Sequence, residues 1–183
     1  MELEKTKLDG VFIIKPAIFQ DNRGWFSETY SLDSLKKRGI EVFFVQDNHS
    51  FSAFKNTLRG LHLQKHPRSQ TKLVRCTRGK VFDVAVDLRK NSPTYKEWLG
   101  VYLSEKNKDQ ILIPKGFAHG FLTLTEGTEV QYKVDEHYSP DLERTIKYDD
   151  PDLGISWGVE NPILSEKDKN AAFLKDLEKE IIS

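Results

Sequence analysis

Val81-Phe82-Asp83-Val84-Ala85-Val86-Asp87-Leu88 is the stretch that decides the fold. Phe82, Val84, Val86 and Leu88 alternate with Val81, Asp83, Ala85 and Asp87. This period of two predicts a β-strand with one face in the core and the two aspartates together on the other. On both sides the pattern recurs, as short β-branched and aromatic runs cut by Gly, Pro, Asn or Asp about every ten residues. Strands are predicted over 11–14, 24–30, 41–48, 58–64, 72–78, 98–103, 110–113, 120–124, 128–134 and 145–148. The fold class is therefore all-β, a sandwich or barrel. Two helical stretches interrupt it. A short one runs from a Ser31 cap to Arg38 and stops at Gly39. From Ser165 onward a single charged amphipathic helix is expected, with Phe173, Leu174, Leu177 and Ile181 at helical spacing.

A chain of 183 residues is long enough for one domain with a proper core, so a single domain over 1–183 is the expectation. Lys plus Arg and Asp plus Glu both number 28, which leaves no global field for nucleic acid or an anionic membrane. Any anion must be held by local cations. The longest run without a charged side chain, Gly116 to Thr125, is far below a membrane span. The opening Met1-Glu2-Leu3-Glu4-Lys5 lacks the apolar segment of a signal peptide. Cys76 is the only cysteine, so an internal disulfide and a cysteine metal cluster are both excluded. The cytoplasm is the expected location.

The candidate chemistry lies in a few clusters. Gln46-Asp47-Asn48-His49-Ser50 precedes Leu58-Arg59-Gly60-Leu61-His62-Leu63-Gln64. In an extended strand Gly60, His62 and Gln64 share a face, unless Gly60 bulges and brings Arg59 round. Lys72 and Val74 share a face of the next strand. Tyr132 lies between Val130 and Val134 on an inward face, where a core aromatic and a general acid are both open readings. Ser165-Glu166-Lys167-Asp168 fits a capping box. Pro114-Lys115-Gly116-Phe117-Ala118-His119 resembles the second signature of the cupin superfamily, whose members are double-stranded β-helix barrels. Metal-binding cupins have an H-x-H in their first signature; here that place reads His62-Leu63-Gln64, and no metal is expected.

Taken together, Asp21-Asn22-Arg23-Gly24-Trp25-Phe26-Ser27-Glu28, the two clusters above, Lys72-Leu73-Val74-Arg75-Cys76, Gly116-Phe117-Ala118-His119-Gly120-Phe121 and Leu164-Ser165-Glu166-Lys167-Asp168 resemble the dTDP-4-dehydrorhamnose 3,5-epimerase family. The resemblance runs from about Leu8 to Asp168. It implies a cupin-type jelly-roll barrel with short peripheral helices and a C-terminal helix. The implied reaction is epimerisation at C3 and C5 of a dTDP-linked 4-keto-6-deoxy sugar, without a cofactor. His62 would be the base, oriented by Asp168; Tyr132 the acid; Lys72 the stabiliser of the enolate oxygen. Arg23, Glu28, Gln46, Asn48, Arg59 and His119 would bind nucleotide, diphosphate or sugar. Tyr138 would stack on thymine, with Glu143 and Lys167 completing the contacts. A homodimer with exchanged N-terminal strands is also implied, which would let Arg23 serve the partner's site. Two other functions use overlapping residues: a single-centre epimerase or ketoisomerase, and a non-catalytic sugar-nucleotide-binding cupin.

Overall fold

In the computed structural model, which describes residues 1–181, strands dominate. They are β1 (Glu2–Lys5), β2 (Phe12–Lys15), β3 (Phe19–Asp21), β4 (Gly24–Phe26), β5 (Gln46–Ser52), β6 (Leu58–Gln64), β7 (Lys72–Arg78), β8 (Lys80–Asp87), β9 (Trp98–Ser104), β10 (Gln110–Ile113), β11 (Phe117–Thr123), β12 (Thr128–Val134) and β13 (Glu143–Thr145). Helices α1 (Leu32–Lys36), α2 (Glu166–Lys169) and α3 (Leu174–Ile181) are short.

Two antiparallel sheets face each other. One has the order β1-β2-β10-β7-β12-β5 and the other β13-β6-β11-β8-β9. From β5 to β12 the chain crosses to the opposite sheet with each strand, except at the β8–β9 hairpin, which gives the jelly-roll expected for a cupin. Between the sheets Val74, Cys76, Val81, Ala85, Leu103, Ile111, Ile113, Phe117, Phe121 and Val130 form one apolar cluster. A second cluster, with Val84, Val86 and Leu88 of the β8 region, lies under Leu153, Trp157 and Leu174 of the C-terminal segment. The third packs α1 and the chain around it on the six-stranded sheet, through Ile14, Leu35, Ile40, Leu73 and Leu112.

Strand β8 departs from its alternating pattern in one respect. Both of its faces are buried, and Val81 and Ala85, on the same face as Asp83 and Asp87, pack into the cluster between the sheets. The aspartate face therefore points inward rather than away from the core. The C-terminal stretch also differs, being two helices instead of one. Chain between Asn170 and Phe173 leaves the helix because Ala172 bridges to Ile146 and its carbonyl accepts the Lys147 N–H at 2.9 Å. Asp150 then restarts the helix by accepting the Leu174 N–H at 2.6 Å. Strands β1 and β3 lie outside the predicted set. Among the described residues no helix is long and apolar enough to cross a membrane.

Candidate active site

Strand β6 builds one wall of the site through a bulge. Its pairing with β11 shifts between His119↔His62 and Phe121↔Arg59, so β6 holds one extra residue there. The extra residue is accommodated at Gly60, whose φ of 133° falls where glycine is favoured. A Cβ on Gly60 would lie 2.5 Å from the Gly120 backbone, so nothing larger fits between the strands. The bulge turns Arg59 to the same side as His62, and both line one cavity of about 490 Å³. Arg59 is held there by Ser52 Oγ at 3.1 Å and the Phe51 carbonyl at 3.0 Å.

His62 meets a carboxylate from the far end of the chain. Nε2 lies 2.6 Å from Asp168 Oδ1, and Asp168 is only 3% exposed. Ser165 both caps α2, accepting the Asp168 N–H at 3.1 Å, and donates its hydroxyl to Asp168 Oδ2 at 2.8 Å. Capping and pairing with His62 therefore coexist in Asp168. Burial alone would push this carboxyl upward; the bonds from His62 and Ser165 outweigh it and hold the group below the usual carboxylate range.

Lys72 enters the cavity from β7, 8% exposed, with Nζ 3.4 Å from the His62 carbonyl. Burial pulls its ammonium down to about 8, although Glu143 and Asp83 work in the opposite direction. Tyr132, from β12 in the opposite sheet to His62, is pushed above the usual phenol value by burial and by the Glu143 charge. Gln46, Asn48 and Ser50 line the cavity from β5 with the two-residue period of that strand, and Gln46 Nε2 donates to Asn48 Oδ1 at 2.9 Å. At the mouth Glu143 accepts from Tyr138 Oη at 2.8 Å and pairs with Lys167 at 2.6 Å. Those contacts outweigh burial and keep Glu143 low.

Of the residues singled out in the sequence, His62, Tyr132, Lys72, Asp168, Gln46, Asn48, Arg59, His119, Tyr138 and Glu143 line this one cavity. Lys167 reaches it through Glu143. Arg23 and Glu28 do not. Arg23 projects from the β3–β4 hairpin, 85% exposed and paired to Asp21 at 2.6 Å, while Glu28 accepts from Ser34 at 3.1 Å. Two supporting residues escaped assignment from the sequence. Gln64 clamps the chain beyond the cavity by donating to the Arg68 and His137 carbonyls and accepting the Ser139 N–H. Asp83 pairs with His119 from behind, and its signal was present in the paired aspartates of β8. His62 and His119 are in direct register, yet each is paired to its own aspartate. Among the described residues no group of three or more His, Cys, Asp or Glu is gathered to hold a metal ion.

An imidazole of one sheet paired to a carboxylate of α2, a phenol of the other sheet, a buried ammonium in the same cavity and an exposed arginine suit proton removal next to a carbonyl of an anionic substrate. Comparison with known proteins points the same way. A family model described as dTDP-4-dehydrorhamnose 3,5-epimerase matches residues 5–176. A dTDP-4-dehydrorhamnose 3,5-epimerase of Methanothermobacter thermautotrophicus is 52% identical over 169 residues, covering 91% of this chain and 90% of its own. The Bacillus anthracis enzyme of that name, solved with TDP and PPi bound, superposes with a TM-score of 0.93 at 47% identity, covering 94% of this chain and 99% of its own. The dTDP-6-deoxy-D-glucose-3,5-epimerase of Legionella pneumophila, in complex with dTDP-4-keto-L-rhamnose, gives 0.94 at 44% identity, covering 99% and 96%. With the match extending over nearly the whole chain, and with these side chains converging on one cavity, the chain belongs to the dTDP-4-dehydrorhamnose 3,5-epimerase family.

Proposed function

We propose that this chain is an isomerase that inverts C3 and C5 of dTDP-4-dehydro-6-deoxy-D-glucose, giving dTDP-4-dehydro-L-rhamnose, as one epimerase domain acting in the cytoplasm within a homodimer. Both carbons are α to the C4 ketone, so loss of either hydrogen gives an enolate with its charge on O4. Epimerisation then needs a proton from the opposite face. His62 removes the hydrogen, and Asp168 fixes the ring and stabilises the cation formed. Lys72 sets its ammonium against O4 in a cavity where a charge counts for more than in water. Tyr132, from the facing sheet, returns the proton to the other side. Arg59 and His119 take the diphosphate and sugar, with Gln46 and Asn48 alongside; Tyr138, Glu143 and Lys167 hold the nucleotide end. The ketone is the electron sink, so the carbon chemistry calls on no redox cofactor.

The observation that carries the reading is the 2.6 Å His62–Asp168 pair, in a cavity that also receives Lys72 and Tyr132. Incubation with dTDP-4-keto-6-deoxyglucose in D₂O tests it. Deuterium is expected at both C3 and C5. Label at one carbon only reduces the protein to a single-centre epimerase, and label at neither removes the activity altogether. In the same assay Tyr132→Phe, which keeps the ring and its packing, is expected to stop epimerisation while some solvent exchange persists.

A further inference from the structure

Two carboxylates of β8, Asp83 and Asp87, have no exposed surface and no part in the reaction above. Asp87 is satisfied locally, accepting from Arg89, Ser92 and Thr94, which ties down the loop that follows β8. Asp83 is placed otherwise. Both of its oxygens receive the same donor, His119 Nε2, at 3.0 and 2.9 Å, and His119 lines the cavity. A carboxylate so completely removed from water is costly unless it is paired, so the barrel keeps this charge at the cavity wall against its desolvation.

We infer that Asp83 is a positioning residue for the epimerisation, gripping the His119 imidazole by Nε2 so that Nδ1 is left for the substrate, and setting a negative charge behind the wall of the cavity that Lys72 enters. The inference rests on the epimerase reading. Register supports the first half. His119 stands opposite His62 on β6 and opposite Ala85 on β8, while Asp83 is paired with Phe121, two residues along β11. Asp83 thus supports the His119 ring from the core side, and the Phe121 ring packs against it at 6.3 Å. Among the described residues His119 Nδ1 has no hydrogen-bond partner in the protein. The second half rests on place: Asp83 is bonded to His119, and His119 and Lys72 line the same cavity, with which the charges around Lys72 agree. Burial opposes its ammonium most; Glu143 and then Asp83 favour it, and Lys167 opposes it. Taking away the Asp83 charge therefore lowers the pH at which Lys72 loses its proton.

Asp83→Asn keeps the size of the side chain and one acceptor oxygen while removing the charge. The expected result is a fall in kcat of about 10- to 100-fold with affinity for dTDP, which lacks the sugar, within a few-fold of wild type. The alkaline limb of kcat/KM should also move to lower pH, which a purely structural residue would not cause. In an His119→Asn background the added Asp83→Asn substitution should cost far less kcat, while the alkaline shift remains. Wild-type kcat with an unmoved alkaline limb overturns the inference, and so does a loss that merely follows the melting temperature. Should Asp83→Asn not fold, nitrogen NMR of the wild-type His119 ring decides, with the hydrogen expected on Nε2; a hydrogen on Nδ1 alone overturns the proposal. That spectrum needs no turnover. A wild-type protein inactive on the keto sugar would thus sink the epimerase reading separately from the Asp83–His119 pairing.

Discussion

Asp168 divides its carboxylate between two partners, Oδ1 to His62 and Oδ2 to the Ser165 hydroxyl, while its backbone N–H closes the α2 cap. Because the cap bond uses the backbone of Asp168, Asp168→Ala leaves it in place and removes the carboxylate paired with His62, the proposed base. We expect kcat to fall by about 10²–10⁴-fold with only a modest change in melting temperature. Ser165→Ala should show the reverse weighting, a loss of about 0.5–2 kcal/mol of stability with a smaller effect on rate. Wild-type kcat in Asp168→Ala would leave His62 without an orienting carboxylate. Lys72 gives the pH dependence. Its proton is lost near 8 because burial disfavours the ammonium, whereas Tyr132 is shifted upward from 10.0, so the two groups titrate apart. In the proposed reaction the charged form of Lys72 is the active one. Turnover should therefore decline as pH rises through about 8, and a kcat/KM profile flat well beyond that pH would remove the ammonium from the mechanism.

At the scale of elements, Asp150 shows how distant chain segments fix the helix behind the site. It is 2% exposed, accepts the Leu174 N–H at 2.6 Å and the Asp152 N–H at 2.8 Å, and so starts α3 where the chain returns from its bridge to Ile146. Asp150→Ala should cost about 1–3 kcal/mol by stranding those donors, seen as a lower melting temperature with kcat retained. Loss of kcat at full stability would mean that α3 is coupled to the dyad through α2. The same region marks where the sequence could be read and where it could not. Strands β6, β7, β10 and β12 have the bounds that alternation predicted, because each packs apolar side chains into a buried cluster, β7, β10 and β12 between the sheets and β6 under the C-terminal segment. The break at Asn170 was invisible, since it depends on Ala172 meeting Ile146 and on a cap supplied 24 residues upstream. β1 was missed because Glu2-Leu3-Glu4-Lys5 is an edge strand with a single apolar residue. In the site, strand faces left His62, Tyr132 and Lys72 open between structural and catalytic readings, and the family resemblance gave them their roles. The inward turn of Asp83 could not be read, because β8 is buried on both faces and its alternation has no solvent side to fix the sign.

For the whole molecule the open question is what completes the cavity, since Arg23 and Glu28 lie away from it. The β3–β4 hairpin that carries Arg23 exposes Phe19, Trp25 and Phe26 at 62%, 59% and 68%, a concentration of apolar surface on a two-stranded ribbon with little packing of its own. An exchanged hairpin would cover those rings and carry Arg23 to the other subunit's diphosphate, as the family resemblance implies. Mixing two inactive variants tests this directly. In a dimer of Arg23→Ala with His62→Ala, the first subunit retains His62 and would receive an intact Arg23 from the second, while the other site lacks both. Random reassociation should then restore about a quarter of the wild-type sites, because half of the dimers are mixed and each has one intact site. If Arg23 served its own subunit, every site would lack one of the two residues whatever the pairing, and mixing would restore nothing. Recovery that appears only after the variants are unfolded and refolded together, and not on simple mixing, would further show that the hairpins are exchanged during folding and hold the dimer closed.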